Sequence, residues 1–130
     1  MQNKINANEY SPLALAYMGD AVFDILVRKM ILSRGNMPAN KLHKAAKEYV
    51  NAAAQAKMYI KLESAVTEEE LAVLKRGRNA KSNTTAKNQS VTDYRHATGL
   101  EALFGYLYLR GDIERVRELF EICIEGIDEP

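Results

Sequence analysis

The sequence predicts an all-α fold. Apolar residues recur at helical spacing along nearly the whole chain, most such stretches open on a capping residue, and strand signals are weak throughout. With 130 residues, 47% hydrophobic and 27% charged, the chain fits one globular domain, residues 1–130, around one core. The body of that domain is expected over about 11–123. No internal repeat, low-complexity segment or linker divides it.

The first and longest helix is expected over Ser11 to Gly35, SPLALAYMGDAVFDILVRKMILSRG. Ser11 can cap its first turn, Pro12 suits the first helical position, and Gly35 can reverse the chain after the last turn. Leu13, Tyr17, Met18, Ala21, Val22, Ile25, Leu26, Met30 and Ile31 cover more than one stripe, which predicts a largely buried helix. Burial makes Asp20 informative, because a carboxylate among Met18, Val22 and Phe23 loses hydration unless a cation or donors replace it. A paired structural acid would satisfy the same pattern, with Asp24, one turn on, simply solvated.

After Asn36-Met37-Pro38, a helix from Ala39 or Asn40 to Tyr49 presents Leu42, Ala45, Ala46, Tyr49 and Val50 as its buried side. Asn51 caps the next, Ala52 to Leu62, with Ala53, Ala56, Met58, Tyr59 and Leu62 inward. Thr67 and Glu70 form a capping box before Leu71, Val73 and Leu74. That helix runs into the basic segment Lys75-Arg76-Gly77-Arg78-Asn79-Ala80-Lys81. Ser82 to Gln89 has no large apolar residue and reads as an exposed loop. Ser90 with Asp93 starts a helix over Val91 to about Arg110, with Leu100, Leu103, Phe104, Leu107 and Tyr108 on its apolar side. Gly111 ends it, Asp112 caps the last helix, and Ile113, Val116, Leu119, Phe120, Cys123 and Ile127 form an amphipathic stripe.

Composition removes several classes. Cys123 is the single cysteine, which excludes an internal disulfide and a cysteine zinc cluster. His43 and His96 are separated, so any metal should be a hard ion held by oxygen. Neither a membrane span nor a secretory signal is present, and a cytoplasmic protein is expected. The net charge of +1 conceals segregation. Lys75, Arg76, Arg78, Lys81, Lys87 and Arg95 face only Asp93 between positions 75 and 96, whereas the stretch after Gly111 is strongly acidic.

Two helices each place a carboxylate, Asp20 and Glu101, in an apolar setting. Met18-Gly19-Asp20-Ala21-Val22 resembles the signature helix of the ribonuclease III endonuclease family, (F/Y)-(L/I/M)-G-D-A-V. Glu101-Ala102-Leu103-Phe104-Gly105-Tyr106-Leu107-Tyr108-Leu109 resembles the same family's E-A-L-(I/F)-G-x-x-(Y/F)-L segment, and Tyr49-Val50-Asn51 its (L/Y)-V-(N/S) junction. Together with Lys75 to Lys81, these segments are similar to Mini-ribonuclease III, the family's short branch without an appended double-stranded RNA-binding domain. The similarity covers about Ser11 to Cys123.

The resemblance implies an all-helical endonuclease domain that dimerises, forms a valley for an RNA duplex, and cuts each strand to leave a 5′ phosphate and a 3′ hydroxyl. It implies magnesium as cofactor, with manganese able to substitute, held by Asp20 and Glu101 as the catalytic residues. Carboxylates on two packed helices suit an ion that prefers oxygen and keeps several waters. The expected substrate is the paired stem of the large-subunit ribosomal RNA precursor, and a large-subunit ribosomal protein is a candidate partner. Tyr17 holds the family's bulky position across the dimer interface.

Lys75, Arg76, Arg78, Asn79, Lys81 and Lys87 are the candidate RNA-binding residues, because cations interleaved with amides suit phosphates and ribose hydroxyls of an A-form minor groove. The same charges would also suit a solvated helix end, and Lys41, Lys44 and Lys47 read as a solvated face that could extend the RNA surface. Larger relatives carry further acids where this chain has Ala16 and Thr98. Water or another acid such as Asp24 would then complete the metal's ligands, or catalysis has been lost and the protein is a silent double-stranded RNA binder. A helical adaptor with no RNA role is the third class.

Overall fold

The computed structural model describes residues 5–81 and 90–127. Local side-chain bonds set most helix starts. The Ser11 hydroxyl accepts from the Ala14 N–H at 3.1 Å ahead of α1 (Pro12–Ser33), which ends before Gly35 at φ +136°. Helix α2 (Ala39–Lys47) follows Pro38 without a side-chain cap. Asn51 then serves two helices: its amide donates to the Lys47 carbonyl at 2.7 Å, and its oxygen accepts from Ala54 N–H at 2.8 Å to open α3 (Ala52–Glu63). Both bonds of the Thr67/Glu70 capping box form, at 3.0 and 3.1 Å, ahead of α4 (Glu68–Asn79). Ser90 caps α5 (Val91–Leu109) at 2.9 Å. Gly111, at φ +81°, turns the chain into α6 (Ile113–Ile124). Asp112 stands at the cap position of α6 but makes no side-chain bond there, contrary to expectation.

Helix α5 is the axis of the molecule, with α1, α3, α4 and α6 packed around it. From Ala97 to Leu107 every residue except Glu101 is buried. Phe23 of α1 meets Phe104 and Phe120 edge-on, with centroids 5.5 and 5.6 Å apart, joining α1, α5 and α6 in one core. Glu70 belongs to this framework as well. Having closed the capping box, its carboxylate takes two bonds from the Arg115 guanidinium at 2.9 Å each, tying α6 to α4. Those bonds hold the buried Glu70 carboxyl below its ordinary range.

Helix α1 is less enclosed than its composition predicts. It buries Leu15, Ala16, Gly19, Val22, Phe23, Val27 and Ile31 along one side, whereas Leu13, Tyr17, Ala21 and Ile25 are exposed at four-residue spacing on the other. Tyr17 is 84% and Ile25 66% exposed. Two smaller expectations also change. Ala53 and Tyr108 are exposed, and the inward positions of α3 include Ala52 and Gln55 instead. Among the described residues no helix is long and apolar enough to cross a membrane.

Candidate active site

Asp20 and Glu101 are brought together by the crossing of α1 and α5. The helices meet at glycines: a Cβ on Gly19 would stand 1.6 Å from the Glu101 carbonyl oxygen, and one on Gly105 would stand 2.0 Å from the Leu15 carbonyl oxygen. Backbone therefore lies against backbone, a contact that only residues without a side chain allow. Asp20 follows Gly19 directly, so its carboxylate emerges at the crossing beside that of Glu101.

The two carboxylates have different surroundings. Asp20 is exposed, against the expectation of a buried acid, although its carboxylate lies beside that of Glu101. Glu101 is the recessed member. Burial first, and then the neighbouring Asp20 carboxylate, push its carboxyl up from the ordinary 4.5 to about 8, while a bond from Gln55 pulls the other way. The Gln55 amide donates to Glu101 Oε2 at 3.4 Å, a long bond.

Such a pair could hold a cation, for electrostatic reasons. Two carboxylates in contact cannot both ionise comfortably in a desolvated setting without a proton or a positive ion between them. All their donors are oxygens, which suits magnesium or manganese. Among the described residues no group of three or more His, Cys, Asp or Glu side chains gathers into a metal-holding cluster. The positions that carry acids in larger relatives explain part of this: Ala16 and Thr98 are both buried, and the Thr98 hydroxyl is spent on the Tyr94 carbonyl at 2.9 Å. Asp24 is held by Arg28 at 3.1 Å instead.

The basic segment begins beside this pair. Helix α4 reaches α5 through a second glycine contact, where a Cβ on Gly77 would stand 2.8 Å from both the Gly99 Cα and the Ala102 Cβ. The packing seats the last turn of α4 next to the segment that bears Glu101. Lys75, Arg76, Asn79 and Lys81 are exposed there. Arg78 is half-buried, donates to Asn79 Oδ1 at 3.1 Å and faces the Tyr59 phenol, whose ionisation burial disfavours. Lys87 lies outside the described residues, as does the loop from Ser82 to Gln89. Lys41, Lys44 and Lys47 are exposed on α2.

Sequence reasoning missed Gln55. The available signal was its place on the stripe formed by Ala52, Ala56 and Tyr59, which makes it a polar residue at a core position.

Comparisons with known proteins show the family. Residues 13–112 match the family model described as the ribonuclease III domain. A Mini-ribonuclease 3 of Thermoanaerobacter sp. is 47% identical over 92% of this chain and 84% of its own length. The Mini-ribonuclease 3 of Brevibacillus brevis is 51% identical over 88% of this chain and 85% of its own. A crystal structure of a Fusobacterium nucleatum protein superposes with a TM-score of 0.82 at 36% identity, covering 91% of this chain and 94% of that one. With the matched model spanning both carboxylate-bearing helices, the chain belongs to the ribonuclease III family of endoribonucleases.

Proposed function

We propose that this endoribonuclease cuts double-stranded RNA as a homodimer, with Asp20 and Glu101 of each subunit holding magnesium, or manganese in its place. The observation that carries the reading is the meeting of these two carboxylates at the α1–α5 crossing, with Glu101 pushed up to about 8. A divalent ion bound by them would polarise the scissile phosphate and lower the pKa of the attacking water. Asp20, being exposed, meets the solvent and substrate side, and recessed Glu101 anchors the site from within.

The protein's remaining work is positioning. Lys75, Arg76, Asn79 and Lys81 supply cations and amides for duplex phosphates and ribose hydroxyls, joined by Arg78 and by Lys87. The exposed row Leu13, Tyr17, Ala21 and Ile25 is an apolar face in need of a partner, and a second copy of α1 across a two-fold axis would cover both rows at once. Two subunits would then present two cutting sites, one for each strand. As the resemblance implies, the proposed substrate is the paired stem of the large-subunit ribosomal RNA precursor, with a large-subunit ribosomal protein assisting its shape, in the cytoplasm.

The test is cleavage of a duplex RNA with and without magnesium by wild type, Asp20→Asn and Glu101→Gln. Both variants should fold and bind the duplex yet lose cleavage. A variant that cuts at near wild-type rate would refute the site assignment, and a wild type inert at high magnesium would leave a binding protein in place of a nuclease.

A further inference from the structure

Gln55 is out of place by ordinary packing rules. It lies on α3 within the buried group Ala52, Gln55, Ala56, Met58, Tyr59 and Leu62, and is itself only 4% exposed. Burying an amide costs free energy that a leucine or methionine of similar volume would not incur, unless the amide finds a partner. Among the described residues its side chain has one hydrogen bond, the 3.4 Å donation to Glu101 Oε2.

Among the described residues, neither Ala16 nor Thr98 gives Glu101 a donor. Ala16 has no donor, and Thr98, one turn before Glu101 on α5, gives its hydroxyl to the Tyr94 carbonyl. An amide is also the right chemical type. It adds no negative charge to an already crowded pair, and its N–H favours the charged form of the carboxylate, the form that binds a cation. Because α3 packs on α5, the donor is delivered from a rigid element, as a supporting contact for a metal ligand must be.

We infer that Gln55 is a positioning residue, whose amide holds the Glu101 carboxylate in the orientation that takes the divalent ion. This rests on the proposed role of Asp20 and Glu101, and it adds α3 to a site otherwise built from α1 and α5. Buried as it is, Gln55 has no surface to offer the RNA or the scissile phosphate. Its loss should therefore weaken metal binding and leave the maximal cleavage rate largely recoverable.

The experiment measures Mn2+ binding to the full chain by calorimetry, without RNA, for wild type, Gln55→Met and Gln55→Asn. Methionine keeps the length and apolar fit of the stem but has no donor, and asparagine keeps the amide but is a methylene short. Both should bind Mn2+ about 10- to 100-fold more weakly, as losses of supporting contacts to metal ligands generally do. The metal concentration for half-maximal cleavage should rise by the same factor, with the rate at saturating metal within about threefold of wild type and metal-free duplex binding unchanged. Wild-type Mn2+ affinity in either folded variant overturns the role of Gln55 while leaving the Asp20 and Glu101 site standing. No Mn2+ binding by wild type overturns both.

Discussion

Gly19 and Glu101 are in backbone contact: a Cβ on Gly19 would fall 1.6 Å from the Glu101 carbonyl oxygen and 2.9 Å from the Gly105 amide nitrogen. The obstacles are main chain inside a packed helix, so neither can rotate aside. Gly19→Ala should force α1 and α5 apart, cost about 3 kcal/mol, the upper end of the range for overpacked cores, and separate Asp20 from Glu101. Denaturant unfolding checks the first effect. A stable alanine variant, within about 1 kcal/mol of wild type, would mean that the crossing is looser than this contact allows.

The raised carboxyl of Glu101 makes a second prediction, about stability without metal. In the unfolded chain this carboxyl titrates near 4.5, and in the folded chain at about 8. Between those values the folded state binds the extra proton, so stability falls as pH rises through this window and levels off above it. Gln lacks this titration. Metal-free Glu101→Gln should accordingly melt higher than wild type at about pH 9, by up to a few kcal/mol, with the advantage vanishing near pH 5. Adding magnesium should stabilise wild type and leave the variant unmoved. Thermal melts in chelator across this range decide it, and a wild type whose lead over the variant grows with pH would contradict the sign.

A third prediction concerns the exposed row on α1. Tyr17, 84% exposed, has a large ring with little of its own protein to cover it. Tyr17→Ala should raise the dimer dissociation constant by roughly tenfold or more, as loss of a central aromatic anchor does, and Ile25→Asp should give monomers by burying a charge. Sedimentation at several concentrations measures both. A dimer indifferent to both changes would have to use another face.

Much of this site was legible because much of it is local. Ser11, Asn51, Thr67 and Ser90 each bond an amide three residues ahead, so their caps are written in adjacent sequence. Asp20 and Glu101 stood out as acids in apolar helices, and the ribonuclease III motifs paired them. The degree of enclosure was not legible. Composition makes α1 and α5 look alike, but α5 has Gly99, Ala102 and Gly105 to admit neighbours closely, whereas Leu13, Tyr17 and Ile25 leave the outer side of α1 exposed. Hence the recessed acid is Glu101 rather than Asp20. Gln55 was passed over for a related reason: the stripe it shares with Ala52, Ala56 and Tyr59 marks a polar core position, but its partner is 46 residues away.

The last prediction separates an RNA surface from a charged helix end. Lys75 and Arg76 are exposed near the end of α4, and the Gly77 contact seats that end beside the Glu101 segment. Arg78 is the less clean target, because it is half-buried against Tyr59 and bonded to Asn79, so its removal would also disturb packing. Each phosphate contact releases bound counterions, so losing one should flatten the dependence of log affinity on log salt by roughly one unit, and a symmetric dimer doubles the loss. Arg76→Ala should therefore weaken duplex binding at low salt and reduce the slope by roughly one to two units, without moving the cut positions if shape selects them. Filter binding across a salt series reads the slope. If it stays unchanged, the charges of α4 serve only its own helix dipole, and the duplex must lie elsewhere, with Lys41, Lys44 and Lys47 on α2 the next exposed cations to remove.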